Sequence, residues 1–230
     1  GYAEHKQDSF YEKAVYTADQ TQYYLEASTQ QPLGKTLINT GLSYRYEDLS
    51  SLGTDASGRN NDGIDNYKYR TPGAFLQAYQ ALFDGAVELN GSVRYDKHNV
   101  FGGITSPRFN VLWNHNHEWN SRFAVGRGFR APTSFFEQDH GILDTLRIVR
   151  RIDKAETSDN ASYALSFAGD RLAMVSSLNY NRIKNMALLD SGATDPVTGD
   201  PITLFTSAQK PVTVVGGDLT VTYKLTPNLE

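Results

Sequence analysis

Apolar and polar residues alternate one by one along several stretches of the chain, which is the period of a β-strand and not of a helix. Over residues 86 to 97, Val87, Leu89, Val93 and Tyr95 share one face with Gly91, while Glu88, Asn90, Ser92, Arg94 and Asp96 share the other. Residues 36 to 48 repeat the design, with Ile38, Thr40, Leu42, Tyr44 and Tyr46 opposing Asn39, Gly41, Ser43, Arg45 and Glu47. Near the C-terminus, Val215, Leu219, Val221 and Tyr223 oppose Gly216, Asp218, Thr220, Thr222 and Lys224. A weaker alternation over 171 to 182 places Leu172, Met174, Leu178 and Tyr180 together. Segments at 20–31, 72–83, 107–115, 119–129 and 157–168 are rich in aromatic residues, Val and Leu, and a short one covers 2–7. The pattern predicts ten strands and no helix.

The connections alternate as well. Pro32-Leu33-Gly34-Lys35, Asp84-Gly85, His115 to Glu118 and Gly169-Asp170 are compositions of tight hairpin turns. Between them fall longer polar links, at 8–19, 49–71, 98–106, 130–156 and 183–202. Short turns on one side and long links on the other predict an up-and-down barrel in an outer membrane. About ten residues at ~3.3 Å each, tilted ~45°, span ~23 Å, close to the ~25 Å apolar band of such barrels. Tyr44, Tyr46, Tyr95, Tyr180 and Tyr223 sit near strand ends on the apolar face, where aromatic rings line the lipid headgroups. A soluble antiparallel sandwich also alternates, but loop parity and tyrosine placement favour the barrel.

Bulk properties fit that reading. Hydrophobic residues make up 39% and mean hydropathy is −0.49, with no apolar run near the ~18 residues of a spanning helix. A barrel strand needs apolar residues only at alternate positions, so low hydropathy does not count against it. The chain has 14 Tyr and 11 Phe but no Cys, which removes disulfides and thiolate metal sites. A net charge of −4 offers no basic face for nucleic acid. Gly1-Tyr2-Ala3 starts neither a basic region nor an apolar core, so an export signal is expected to have been removed or to lie outside the chain.

Residues 125 to 140 read Val-Gly-Arg-Gly-Phe-Arg-Ala-Pro-Thr-Ser-Phe-Phe-Glu-Gln-Asp-His. The run from Gly126 to Thr133 resembles the Gly-x-Gly-Phe-Arg-Ala-Pro segment of TonB-dependent receptors, with the following Glu standing one residue late as Glu137. Lys154-Ala155-Glu156-Thr157-Ser158 and then Tyr163-Ala164-Leu165 resemble the family's Pro-Glu-x-Ser and Tyr-Glu-Leu strand, with Ala155 where Pro is usual. Asn181 to Met186 resembles a strand end before an outer loop, and Gly216-Gly217-Asp218-Leu219 stands where the family has Gly-Val-Glu-Leu. The resemblance spans nearly the whole chain and is weakest over the first twenty residues. It implies an all-β, antiparallel transmembrane barrel of 22 strands, of which this chain supplies about ten as part of one barrel domain over 1–230. The plug domain, the TonB box before it and the remaining strands would lie outside the chain, which ends at a turn over Leu225 to Glu230. Implied partners are outer-membrane lipid, TonB, the plug, the other strands, a small-molecule nutrient and a surface-exposed lipoprotein.

Several residues are candidates for function. Arg45, Glu47, Glu88, Arg94, Asp96, Arg108, Arg122 and Asp218 are expected on the lumenal face, either holding a plug through exchangeable ion pairs or lining wet interior surface. Arg130 would anchor the loop that follows it or touch plug or ligand. Phe135, Phe136, Asp139 and His140 in that loop, with Asn61, Asp62 and Tyr67 in another, are candidate ligand contacts in an outer vestibule; exposed rings grip apolar or macrocyclic molecules. Asp55, Asp62 and Asp65 are candidate calcium ligands in a flexible loop, against the plainer reading of a solvated polar loop. His98, His115, His117 and His140 read as surface histidines. Asp96-Lys97-His98 and Asp139-His140 leave a ten-stranded outer-membrane protease as an alternative, although that family's motifs are missing.

The sequence therefore predicts a receptor in the bacterial outer membrane, not an enzyme, that imports a scarce nutrient and needs no cofactor. Compact loops favour cobalamin or a ferric chelate over larger glycans, with cobalamin preferred.

Overall fold

The computed structural model describes residues 1–11, 14–54, 66–133 and 147–225. Ten strands form one antiparallel sheet: β1 (Tyr2–Tyr11), β2 (Ala14–Leu33), β3 (Thr36–Thr54), β4 (Tyr67–Leu82), β5 (Val87–His98), β6 (Gly102–Asn114), β7 (Trp119–Arg130), β9 (Glu156–Ala168), β10 (Leu172–Lys184) and β13 (Val212–Tyr223). They pair in sequence order, β1-β2-β3-β4-β5-β6-β7-β9-β10-β13. Among the described residues, β1 pairs only with β2 and β13 only with β10. These ten strands thus form an open wall and not the closed ten-stranded barrel of a protease.

The register carries the alternation from strand to strand. One outward row runs Leu42, Ala74, Tyr95, Thr105, and another runs Phe109, Val125, Ala161, Tyr180, Val215. Side chains on this face stay open: Leu42 is 67% exposed, and Leu178 and Leu219, on the same face, are 62% and 66% exposed. A sandwich would bury such a face between two sheets, because each large apolar side chain left in water forgoes roughly 1.5–3 kcal/mol. A barrel wall presents it to lipid instead. Tyr44, Tyr95, Tyr180 and Tyr223 are all exposed on this face, and Tyr46 donates to Asp48 at 2.7 Å.

Several expected boundaries are corrected. The link over 8–19 is mostly strand, since β1 and β2 continue pairing up to Tyr11 and Ala14. The β2–β3 hairpin reaches far past the apolar band, where backbone pairing persists after the hydrophobic alternation has stopped. The link over 98–106 shrinks to residues 99–101. Asn99 fastens it by accepting from Arg70 N at 2.9 Å and donating to the Lys68 carbonyl at 2.9 Å. His98 Nδ1 accepts from the backbone N–H groups of Val100 and Phe101 at 3.1 and 3.2 Å. Those side chains satisfy the turn that its composition does not announce.

A second, three-stranded sheet was not expected. Its members β8 (Arg147–Arg151), β11 (Ala187–Thr194) and β12 (Pro201–Ser207) come from the links after β7 and after β10. The order is β11-β12-β8, with β12 and β8 parallel. Ile202, Thr203 and Phe205 of β12 are buried, as are Tyr67 and Tyr69 at the adjoining end of β4. Buried apolar residues thus gather at the long-link end of the molecule and not within the wall.

Candidate functional site

The register puts Arg45, Glu47, Glu88, Arg94, Asp96, Arg108, Arg122 and Asp218 on the same face, opposite the apolar one. A bay of about 410 Å³ on this face takes its lining from six consecutive strands, β2 to β7, as an inward-curling sheet requires. A second cavity of about 260 Å³ lies nearer the long-link end, between Arg45, Glu47, Arg94, Asp96, His98 and Arg130.

Arg94 and Asp96, two residues apart on β5, form the centre of the wall. The guanidinium Nε donates to both carboxylate oxygens, at 3.0 and 2.8 Å, and Nη2 donates to Oδ1 at 2.8 Å. Nη2 also donates to Ser43 Oγ at 2.6 Å, which ties β5 to β3 across β4. The intervening strand permits this because Gly73 sits between them: a Cβ there would lie 2.3 Å from Asp96 Oδ1 and 3.0 Å from Ser43 Oγ. Asp96 is 1% exposed, so its charge depends on Arg94. Gly41 plays the same part under Phe75, whose ring atom Cζ would stand 2.5 Å from an added Cβ.

The other inward charges are less engaged. Tyr79 donates to Glu88 at 3.0 Å, and Asp218 accepts from Ser177 at 3.2 Å. Arg45 lies over the Tyr24 ring at 5.8 Å. Arg45, Arg108 and Arg122 form no ion pair with the described residues.

At the long-link end the wall meets the small sheet. Tyr69 donates to the Pro132 carbonyl at 2.9 Å, and Arg150 of β8 donates to Tyr69 Oη at 2.7 Å and to the same carbonyl at 3.2 Å. Arg150 also lies over the Phe205 ring at 5.8 Å. Tyr69 stacks on Tyr67 at 4.5 Å and meets His98 edge-on at 4.7 Å. Arg130 pairs with the neighbouring strand: its Nε donates to Glu156 Oε2 at 2.6 Å, and Glu156 Oε1 accepts from Ala187 N at 2.7 Å. That carboxylate joins the end of β7 to the start of β11.

Tyr67, expected in an outer loop, is instead the first residue of β4, buried and accepting from Gln20 Nε2 at 2.7 Å. His115 is held at a turn by Ser121 at 2.9 Å and Trp113 at 4.5 Å. Among the described residues no group of three or more His, Asp or Glu could hold a metal. Asp55, Asn61, Asp62, Asp65, Phe135, Phe136, Asp139 and His140 lie outside the described residues. Sequence reasoning missed Ser43, Tyr69, Arg150 and the partner of Arg130. Glu156 stood in a quoted motif, but no spacing rule pairs residues 26 apart.

The sequence model described as "TonB dependent receptor-like, beta-barrel" matches residues 1–229. Among solved structures, the siderophore receptor PirA from Pseudomonas aeruginosa superposes with a TM-score of 0.70 at 16% identity, over 96% of this chain and 46% of that one. The ferric enterobactin receptor PfeA from the same organism gives 0.70 at 18% identity, over 93% and 34%. The copper transporter OprC gives 0.66 at 16%, over 99% and 39%. The chain spans less than half the length of each. With a family match over almost its whole length and a wall that is apolar outside and charged inside, the chain belongs to the TonB-dependent receptor β-barrel family, whose members are outer-membrane proteins.

Proposed function

We propose that this chain forms part of the wall of an outer-membrane receptor that takes up a ferric chelate or a related metal complex, with TonB supplying the energy through a plug domain. The observation that carries this reading is the two-faced wall: exposed apolar side chains outward, and inward a charged face with three arginines that have no acidic partner among the described residues. Such inward cations suit carboxylates and carbonyls of a plug that must release them during transport. The likeness to siderophore receptors and a copper transporter favours a metal complex over cobalamin, since compact loops suit a ferric chelate as well as cobalamin.

The test is growth of a strain lacking the receptor, on limiting iron with siderophore as sole source and separately on limiting cobalamin. A defect on iron alone is expected. A defect on cobalamin alone would transfer the reading to that ligand, and growth unchanged under both would sink the two together.

A further inference from the structure

At the long-link end β5 closes on His98, an imidazole on the inward face that is only 3% exposed. Its two nitrogens are placed differently. Nδ1 accepts from the N–H groups of both Val100 and Phe101, which fastens the link over 99–101. Nδ1 is therefore bare, and Nε2 carries the single proton of a neutral ring. Nε2 is itself buried and has no hydrogen-bond partner. The ring meets Tyr69 edge-on at 4.7 Å and Phe101 at 4.8 Å, and Phe101 lies 6.0 Å from Tyr69.

A second proton has no place in this arrangement. On Nδ1 it would point at two backbone N–H groups and replace two accepted hydrogen bonds with repulsion. The surrounding charges offer no compensation. In the cavity that His98 shares, Asp96 is held by Arg94 on β5, and Arg130 on β7 is occupied by Glu156 on β9. Arg45 and Glu47 on β3 complete the charged lining, and no carboxylate among the described residues bonds the imidazole. From the other side the ring meets Tyr69 of β4, whose hydroxyl is held by a further cation, Arg150 of β8. The same hydroxyl donates to the Pro132 carbonyl. His98 and Phe101 thus pack against the residue through which the small sheet contacts the wall.

We infer that His98 is an acid-operated latch: its protonation releases the link over 99–101, takes the His98 and Phe101 rings away from Tyr69, and loosens the small sheet from the wall. The closed link admits only the neutral ring, whereas the open link admits both forms. Closure is therefore undisturbed above the ordinary imidazole value of ~6.5, and below it the opening equilibrium grows by up to about tenfold per pH unit. Carboxylates, ordinarily near ~4, stay ionised through most of that window. The latch acts on the long-link end whichever nutrient the receptor carries, so it stands apart from the transport proposal.

The experiment is amide hydrogen exchange on the full-length receptor in mild detergent at about pH 7.5 and about pH 5.5, either side of the imidazole range. Protection factors are compared, so that the intrinsic pH dependence of exchange cancels. Protection over 99–101 should fall by about tenfold at the lower pH, and protection in β8 should fall with it by at least about twofold. His98→Asn brings a carboxamide oxygen close to the place of Nδ1, where it accepts from the same two N–H groups without titrating, so protection should stay high at both pH values. His98→Gln carries its oxygen one bond further out, away from those donors, and protection should be low at both. His115→Gln, at the opposite end of the wall, should keep the parent response. Equal protection at the two pH values in the unmodified receptor overturns the latch. A response that survives His98→Asn assigns the effect to a carboxylate and overturns it too, and a link that opens while β8 ignores pH refutes the coupling to the small sheet. Where His98→Asn fails to fold, full protection over 99–101 in His98→Gln at the higher pH overturns the role of Nδ1.

Discussion

Gly73 lies directly opposite Asp96 in the β4–β5 register, and a Cβ on Gly73 would stand 2.3 Å from Asp96 Oδ1 and 2.9 Å from Arg94 Nη2. No side chain fits there without moving the ion pair that links β5 to β3. Gly73→Ala in the full receptor should cost about 1–3 kcal/mol. The control is Gly91→Ala, whose nearest neighbour is a Phe109 ring carbon at 3.7 Å. Urea unfolding of both variants in lipid vesicles checks this, and equal midpoints would refute the close packing.

Removing one member of the pair strands the other. Asp96 is almost fully buried whereas the Arg94 side chain is 31% exposed, so the two single substitutions differ. Arg94→Gln should cost about 3 kcal/mol or more, because it leaves a buried carboxylate, and Asp96→Asn should cost less. The double variant should be more stable than the sum of the singles predicts. A double-mutant cycle on unfolding free energies reads this directly; strict additivity would mean that the pair does not form.

The assignment of faces makes an opposite demand on neighbouring residues. Leu178 faces outward beside Tyr163, and Asn179 faces inward beside Ser162. Leu178→Arg should destabilise the folded barrel by about 2–4 kcal/mol, the depth-dependent cost of arginine against lipid, while Asn179→Arg should fall within about 1 kcal/mol of the parent. Folded fractions on unheated gels after urea titration distinguish them. The reverse ranking would invert the wall.

The contact of Arg150 with Tyr69 and Pro132 predicts the behaviour of the mouth. Arg150→Ala and Tyr69→Phe should each speed amide exchange in β8 and β12 by several-fold, in line with about 1 kcal/mol for a lost hydrogen bond. The two changes together should add little. Exchange in β5 and β6 should be unaffected, and a change there would mean that the substitutions loosen the wall itself.

The wall was legible in the sequence because alternation is a local signal. Val87 to Asp96 declare their faces without reference to any other strand, and the eight inward charges follow from parity alone. What could not be read is what lies across strands or beyond the apolar band. Ser43 meets Arg94 only because β4 presents a glycine between them. Ala18 and Ser51 pair in a stretch without apolar–polar alternation in the sequence, although the structure buries them both. Tyr69, Pro132 and Arg150 are brought together by a fold-back of two links, which no periodicity encodes. The pairing of Arg130 with Glu156 was half visible, each residue lying in a recognisable motif and neither naming the other.

The parallel pairing of β8 with β12 has a consequence for how this receptor can change over generations. Thr203 and Leu204 align with Ile148 and Val149, so two links separated by the β9–β10 hairpin share one register. A shift of β8 against β12 breaks this register, whereas a shift of both links together keeps it. A slip of one residue turns every side chain of a strand over. The two links therefore form a single unit of variation, and sequence change at this end of the wall should come as coordinated replacement of both segments and not as drift in either alone.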